Sequence, residues 1–344
     1  MDEPANNSLT GKACLTFALA VMAGAALAWA ISPALFRALP ADTSRIPILL
    51  DTMRDLTRTP KIILFGSSVG MAGIDTARIT KQLPGQPLAY NLSSSGQALV
   101  EAYLYYQEVP DSVDIVIQMV SAKSLEREGA INEQKYNAVY MYGYRPNEQT
   151  QQVLRTVFPT DMGELLAKSD LQQRFDSRWV VRQMADRFAR SIFRKDLTLD
   201  RSTNDLFFPS SYSRRLPEEQ YRIALQNEFR EITNGGYWPQ ESKLDLLQQI
   251  AADMNANGKE LVLLAEPINP ELAANHGERY LRGYGEMLRE FAARNDVILL
   301  DGRRQVAEQD FVDAVHPTPE GAAKFSEWLA DELLRLRDNG ELNF

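Results

Sequence analysis

The chain has 344 residues, enough for one large domain with an insertion or for two domains, and its 44% hydrophobic and 24% charged content is that of an ordinary globular protein. A net charge of −9, spread without any basic block, leaves nucleic-acid binding without electrostatic support. The single cysteine, Cys14, excludes a disulfide within the chain, and the two histidines, His276 and His316, give no Cys/His cluster with zinc spacing, so neither a metal nor a cofactor is expected.

Residues 13 to 31, ACLTFALAVMAGAALAWAI, carry no charge and are long enough to cross a bilayer as a helix. Gly24, Ala26 and Ala28 also fit a signal-peptide cleavage region. The apolar run is longer than a usual signal core, however, and the leader carries Asp2 and Glu3 against a single Lys12, so a retained anchor is expected. Cys14 precedes most of the run, which does not suit a lipoprotein signal. Lys12 before the span and Arg37, Arg45 and Arg54 after it run against the usual charge asymmetry. The main domain is still expected to be extracytoplasmic (periplasmic), on a single-pass anchor in the inner membrane. The expected organisation is an anchor over 1–35, a connector over 36–59 with a short helix at Ile46 to Leu56, and one α/β domain over 60–344.

That domain opens with Lys61 to Gly70, KIILFGSSVG. Four apolar residues, Ile62 to Phe65, run into Gly66-Ser67-Ser68, the pattern of a buried strand that stops at a tight turn. Open α/β sheets place their ligand crevices at such strand ends, so Ser68 is a candidate nucleophile. MAGIDTARITKQL then has helical spacing and ends at Pro84-Gly85. A second strand over 88–92 meets Ser93-Ser94-Ser95-Gly96, a small-residue turn able to aim backbone N–H groups at an anion, and a helix follows from about Ala98. DIVIQM, residues 114 to 119, predicts a third strand.

From about 121 to 258 the strand-helix rhythm stops. Residues 147 to 196 have charged, helical spacing, and tyrosine-rich stretches flank them at Tyr136 to Tyr144 and Gly235 to Pro239. An insertion of this length at a strand end suits a cap over a site. Its aromatic residues fit packing at a seam or stacking on a sugar ring. A helix over 242–256, a strand over 260–265, a turn at Glu266-Pro267-Ile268-Asn269-Pro270, a helix over 278–294, a strand over 297–301 and a closing helix over 319–336 complete the chain. Five strands with crossover helices predict a flavodoxin-like α/β/α fold with a five-stranded parallel sheet, a helical insertion and an N-terminal transmembrane helix.

Asp313-Ala314-Val315-His316-Pro317 precedes the last helix. An Asp three residues before a His in a turn can hold the imidazole Nδ1 and leave Nε2 to take a proton from a serine. Ser68 or, one residue earlier, Ser67 are the alternative nucleophiles. His276, in Asn275-His276-Gly277, reads as a loop residue.

These blocks together resemble the SGNH/GDSL hydrolase superfamily. Gly66-Ser67-Ser68 is similar to its first block, Asn91 to Gly96 to its second, and Asp313-Ala314-Val315-His316 to its last. The resemblance implies catalytic Ser68, His316 and Asp313, an oxyanion hole from the N–H groups of Ser68 and Gly96, and contacts to substrate at Ser67, Ser95, Ser121 and Asn269. The third block departs from the family's Gly-x-Asn-Asp: the strand ends Gln118-Met119-Val120-Ser121-Ala122-Lys123, so the usual Asn donor is missing, and Ser121 or a backbone N–H would have to replace it. Among branches, the membrane-anchored DltD-type and alginate O-acetylation-type proteins look most similar, with Pro267-Ile268-Asn269 matching a turn of the former. That implies acyl transfer or ester hydrolysis on an envelope polysaccharide, beside a membrane-bound O-acyltransferase partner. The alternative from the missing Asn and the large insertion is a non-catalytic polysaccharide-binding or assembly subunit on the same scaffold.

Overall fold

The computed structural model describes residues 6–37, 45, 50–51, 53–126, 129–141, 143–194, 214–230 and 237–344. Among them five strands form one sheet, every neighbouring pair parallel, in the order β2-β1-β3-β4-β5. The strands are β1 (Ile62–Phe65), β2 (Ala89–Asn91), β3 (Ile115–Val120), β4 (Glu260–Ala265) and β5 (Ile298–Asp301). This is the doubly wound order of flavodoxin-like sheets, with the switch point between β1 and β3, where ligand crevices form.

The sheet is covered on both faces because its central strands are apolar on both sides rather than at alternate positions, with Gln118 of β3 and Glu260 at the start of β4 as the exceptions. Ile63 and Phe65 of β1, Val116 and Val120 of β3, and Leu261 and Leu263 of β4 point into one core. Ile62 and Leu64, Ile115 and Ile117, and Val262 and Leu264 point into the other. The first core is closed by α4 (Leu99–Tyr106), α12 (Glu241–Ala256) and α14 (Glu278–Asn295). The second is closed by α2 (Ser68–Gly73), α3 (Thr76–Gln82) and α15 (Pro319–Asp338).

The helix expected after Gly70 is two helices. Ile74 is extended, and the Asp75 carboxylate accepts the Arg78 N–H as the N-cap of α3, so the chain restarts rather than continues. The insertion between β3 and β4 is likewise a series of short helices: α5 (Ala122–Glu126), α6 (Glu133–Met141), α7 (Glu148–Val157), α8 (Asp161–Ala167), α9 (Asp170–Asp176), α10 (Trp179–Arg194) and α11 (Glu218–Arg230). Pro270–His276 forms α13, so His276 ends a helix and is not a loop residue. The helix expected at Ile46 to Leu56 and the Gly235-Gly236 end of the second aromatic stretch lie partly outside the described residues.

The N-terminal α1 (Asn6–Arg37) contains Gly11–Ser32, a stretch long and apolar enough to span a membrane, with none of its most apolar window buried. Its last turns are different. Phe36 is buried with Val180, Ala138 and Met141 and meets the Trp179 ring edge-on at 5.8 Å, and Arg174 lies 4.2 Å from the Trp29 ring centroid. The foot of α1 is therefore part of the insertion's packing. Beyond it, Arg45 is buried and donates from Nε to the Ser93 carbonyl at 2.9 Å, tying the connector to the turn after β2.

Candidate active site

The register of the sheet brings the ends of β1, β3 and β4 level, since Phe65 pairs with Gln118 and Val120 with Ala265. Ser67 and Ser68 follow β1, Ser121 follows β3 and Glu266 follows β4, so all four stand on one sheet edge. The turn after β1 is tight because glycines permit close approach. A Cβ on Gly66 would lie 2.9 Å from Met119 Cβ, and one on Gly70 would lie 2.7 Å from both Met119 Sδ and Ser93 Oγ. Ser67 caps α2 by accepting the Val69 N–H at 3.1 Å, which makes Ser68 the first residue of the helix. Asn91, fully buried, donates to the Gly70 and Ile74 carbonyls at 3.0 and 3.1 Å and holds the far end of α2 against β2.

Ser68 Oγ lies 2.8 Å from His316 Nε2. His316 Nδ1 lies 2.8 and 3.0 Å from the two carboxylate oxygens of Asp313. The Asp-x-x-His turn is closed by the Val312 N–H to the His316 carbonyl (2.8 Å) and by a bridge between Phe311 and Pro317. Asp313 Oδ1 also accepts the Val315 and His316 N–H groups at 2.9 and 2.8 Å. Burial pushes the Asp313 carboxyl up, but the His316 ring and these two N–H donors outweigh it and hold the group below the usual carboxylate range. An ionised acid against Nδ1 fixes the tautomer that leaves Nε2 free to accept the serine proton.

The remaining candidates divide. Gly96 has φ +59°, a left-handed conformation suited to glycine, and lines the cavity beside Ser68. Among the described residues, neither the Ser68 nor the Gly96 N–H has an acceptor. Ser121 also lines the cavity. Its Oγ accepts the Ser124 N–H at 3.0 Å, while its own proton is given to no described group. Ser95 is not in the cavity wall, and its carbonyl accepts from Lys135 Nζ. Asn269 reaches the wall, yet its amide is taken: Nδ2 donates to Tyr221 Oη at 2.8 Å and Oδ1 accepts the Glu271 N–H at 3.0 Å.

The comparisons with known proteins add little to this geometry. A family model that carries no functional description matches residues 170–336. No curated protein matches the sequence. Among solved structures the chain is similar to Est24, a carbohydrate acetylesterase from Sinorhizobium meliloti, at 10% identity and a TM-score of 0.38, over 81% of this chain and 100% of that one. It is also similar to a putative arylesterase from Agrobacterium tumefaciens, at 11% identity and a TM-score of 0.38, over 80% of this chain and 99% of that one.

The cavity has a volume of about 730 Å³, within the range of small-ligand sites, and Ser68, His316, Gly96, Ser121 and residues of the insertion line it. Its wall contains three further features, of which the sequence alone marks His276, and only as a loop residue. Glu266, 6% exposed, accepts the Ser67 hydroxyl at 2.8 Å. Burial pushes its carboxyl above the usual range, against the opposing pull of Ser67 and His316. His276 has a buried Nδ1 without a partner and stacks on Tyr280 at 5.1 Å, and burial lowers its pKa to about 4, so it is a neutral wall residue near pH 7. Lys135, on α6 of the insertion, pairs with the buried Glu101 at 3.2 Å and braces the turn that carries Gly96. Glu101 lies just after the small-residue turn at Gly96, and nothing in the segment around Lys135 marks it. Tyr136, Tyr140 and Tyr144 pack on neighbouring aromatic rings and do not line the cavity, and Tyr237 packs edge-on against Tyr280 while Trp238 is exposed, so these described tyrosines serve the seam.

Proposed function

We propose that the protein is a membrane-anchored serine acyl-transfer enzyme with Ser68 as nucleophile, His316 as base and Asp313 as the group that orients it. The observation that carries this is the continuous relay Ser68 Oγ, His316 Nε2, His316 Nδ1, Asp313, at 2.8 Å for each link. Ser68 Oγ attacks the acyl carbonyl while His316 Nε2 takes its proton. The N–H groups of Ser68 and Gly96 hold the oxyanion, with the Ser121 hydroxyl as a third donor in place of the absent Asn. His316 returns the proton to the leaving alkoxide, leaving an acyl-Ser68 ester. An acceptor hydroxyl, from a sugar or from water, then gives its proton to His316 and attacks the acyl carbonyl, the bond to Ser68 Oγ breaks, and His316 returns the proton to Ser68 Oγ.

The same reading covers the setting. The acceptor is an extracytoplasmic envelope polysaccharide, and the acyl donor reaches the site with help from a membrane-bound O-acyltransferase. The apolar Gly11–Ser32 segment supports a single-pass anchor, and Trp29 near its end suits an interfacial position. In this reading the domain stands on the periplasmic side. A formed relay favours catalysis over a purely polysaccharide-binding role. The test is covalent: a fluorophosphonate probe labels the full chain in detergent, and Ser68→Ala removes the label. An intact wild type that takes no label would end this reading.

A further inference from the structure

Outside α1, six large apolar side chains of the described residues are exposed, and four of them, Leu171, Phe175, Val181 and Phe188, belong to α9 and α10. Exposed apolar residues scattered singly are ordinary, but a cluster marks a surface that something covers. Leu171 and Phe175 stand one turn apart on α9 and share a side. Val181, Ala185 and Phe188, spaced by four and three, do the same on α10, and all three are exposed. A second apolar side of α10 is used inside the fold: Val180 is buried with Phe36 of α1, and Met184 packs on the same cluster. So α10 has one apolar face against α1 and another open beside it.

The position of the open face points to a lipid surface. It adjoins the foot of Gly11–Ser32, the segment long and apolar enough to span a membrane. Trp179 meets Phe36 edge-on, and the Arg174 guanidinium lies 4.2 Å from the Trp29 ring centroid. Trp29 falls near the end of the spanning segment, where tryptophan sits at headgroup level, so α9 meets α1 at that depth. Charge agrees. Residues 170–194 hold six arginines against three aspartates, in a chain of net charge −9. Arg174 is shared with Asp170 at 2.9 Å. Arg178, over the Phe175 ring at 4.3 Å, and Arg182 are both exposed and can reach anionic headgroups. Arginines beside exposed leucine and phenylalanine on short helices are the makeup of a segment that lies in a membrane interface.

We propose that Leu171, Phe175, Val181 and Phe188 seat α9 and α10 in the surface of the membrane that α1 crosses, with Arg178 and Arg182 at headgroup level. The seat rests on the reading of α1 as a retained anchor and not on the acyl-transfer chemistry. It also reaches the catalytic cavity. Ala138 and Met141 of α6 are buried with Phe36, and one to two turns earlier on the same helix Lys135 donates to the Ser95 carbonyl and pairs with Glu101 at 3.2 Å. One nine-residue helix thus joins the seated segment to the turn that carries Gly96, and holds the cavity at a set height above the lipid.

The test is fluorescence quenching by nitroxide lipids, on the full chain in nanodiscs of phosphatidylcholine and phosphatidylglycerol. Cys14→Ser removes the native thiol, and an environment-sensitive dye is attached to Phe175→Cys, Phe188→Cys, Met22→Cys in the middle of the span, or Asp338→Cys at the exposed end of α15. A nitroxide high on the acyl chain quenches the dyes at 175 and 188 at least about threefold more than the dye at 338, as expected for an apolar face buried just below the headgroups. A nitroxide at the chain end quenches the dye at 22 best. Quenching at 22 with none above the level of 338 at 175 and 188 overturns the seat, keeps the anchor and leaves the face to a protein partner. Quenching at none of the three overturns seat and anchor together. A second variant removes the dye's own affinity for lipid from the seat: with the dye at Leu171→Cys, Phe175→Ser and Phe188→Ser together bring quenching down to the level of 338. Unchanged quenching there overturns the part given to these two rings. In detergent this double variant melts as the wild type does, and a clearly lower midpoint overturns the seat, because the rings would then serve the fold.

Discussion

Ser67 Oγ donates to Glu266 Oε1 at 2.8 Å, and this bond divides the labour of two serines that are adjacent in the chain. Ser67 is held to the end of β4 and caps α2, while Ser68, one residue on, faces His316. A shift of one residue in the Gly-Ser-Ser turn would exchange these roles. The two alanine variants therefore separate chemistry from scaffolding. Ser68→Ala lowers kcat on an ester substrate by about 10⁴-fold or more, as expected for removal of a nucleophile, and leaves the melting temperature near that of the wild type. Ser67→Ala still takes a fluorophosphonate label, but it loses the cap and leaves a buried carboxyl short of a donor, a cost of about 1–3 kcal/mol in stability. Loss of labelling in Ser67→Ala with labelling intact in Ser68→Ala would reverse the assignment.

Glu266 adds a pH signature. Its carboxyl is raised by burial, so the folded state holds its proton to higher pH than the unfolded chain does. Above the ordinary glutamate range the unfolded state loses that proton first, and stability falls as pH rises toward the raised value. Glu266→Gln keeps an acceptor for Ser67 and removes the titration. Melting temperatures measured from the ordinary glutamate range upward should decline less steeply in Glu266→Gln than in the wild type. Parallel curves would mean that Glu266 ionises in the folded protein as it does unfolded.

The two histidines make opposite predictions. His316→Ala removes the base and abolishes labelling of Ser68. His276 is held neutral by burial, with a pKa of about 4, and has no described link to Ser68. His276→Gln should therefore keep kcat within about tenfold of wild type, any change falling mainly on KM because the side chain lines the cavity. Fluorophosphonate labelling supplies the check: it persists in His276→Gln and is lost in His316→Ala.

The parts of the site that could be read from the sequence are those whose geometry is local. Asp313 and His316 are three residues apart in one turn, and Ser68 ends an apolar run, so their residue types and spacings announce their positions. The sheet could be read for the same reason, because Ile62–Phe65 is an unbroken apolar run and Ile115–Val120 and Glu260–Ala265 are apolar but for Gln118 and Glu260. What could not be read depends on contacts between distant segments. Glu266 sits in a Glu-Pro turn that looks like any loop, and only the approach of Ser67, 199 residues away, gives it a role. The break at Ile74 is masked by a continuous helical spacing, although Asp75 carries the capping signal.

The missing Asn after β3 gives the last prediction. Ser121 is the residue at that strand end whose hydroxyl proton has no described acceptor, whereas the Ser124 hydroxyl donates to the Ser121 carbonyl at 2.8 Å. Ser121 and Ser124 cap the same turn, since each side chain also accepts the other's N–H, at 3.0 and 3.1 Å. Removing either hydroxyl loosens that turn by a similar amount, about 1 kcal/mol, but only Ser121 can give a proton to a developing oxyanion. Ser121→Ala should lower kcat by about 10²-fold, the low end of what an oxyanion donor supplies, with KM little changed. Ser124→Ala should match its loss of stability and keep most of its turnover. Equal rates in the two variants would remove Ser121 from the oxyanion hole and leave the backbone N–H groups of Ser68 and Gly96 to stabilise the charge alone.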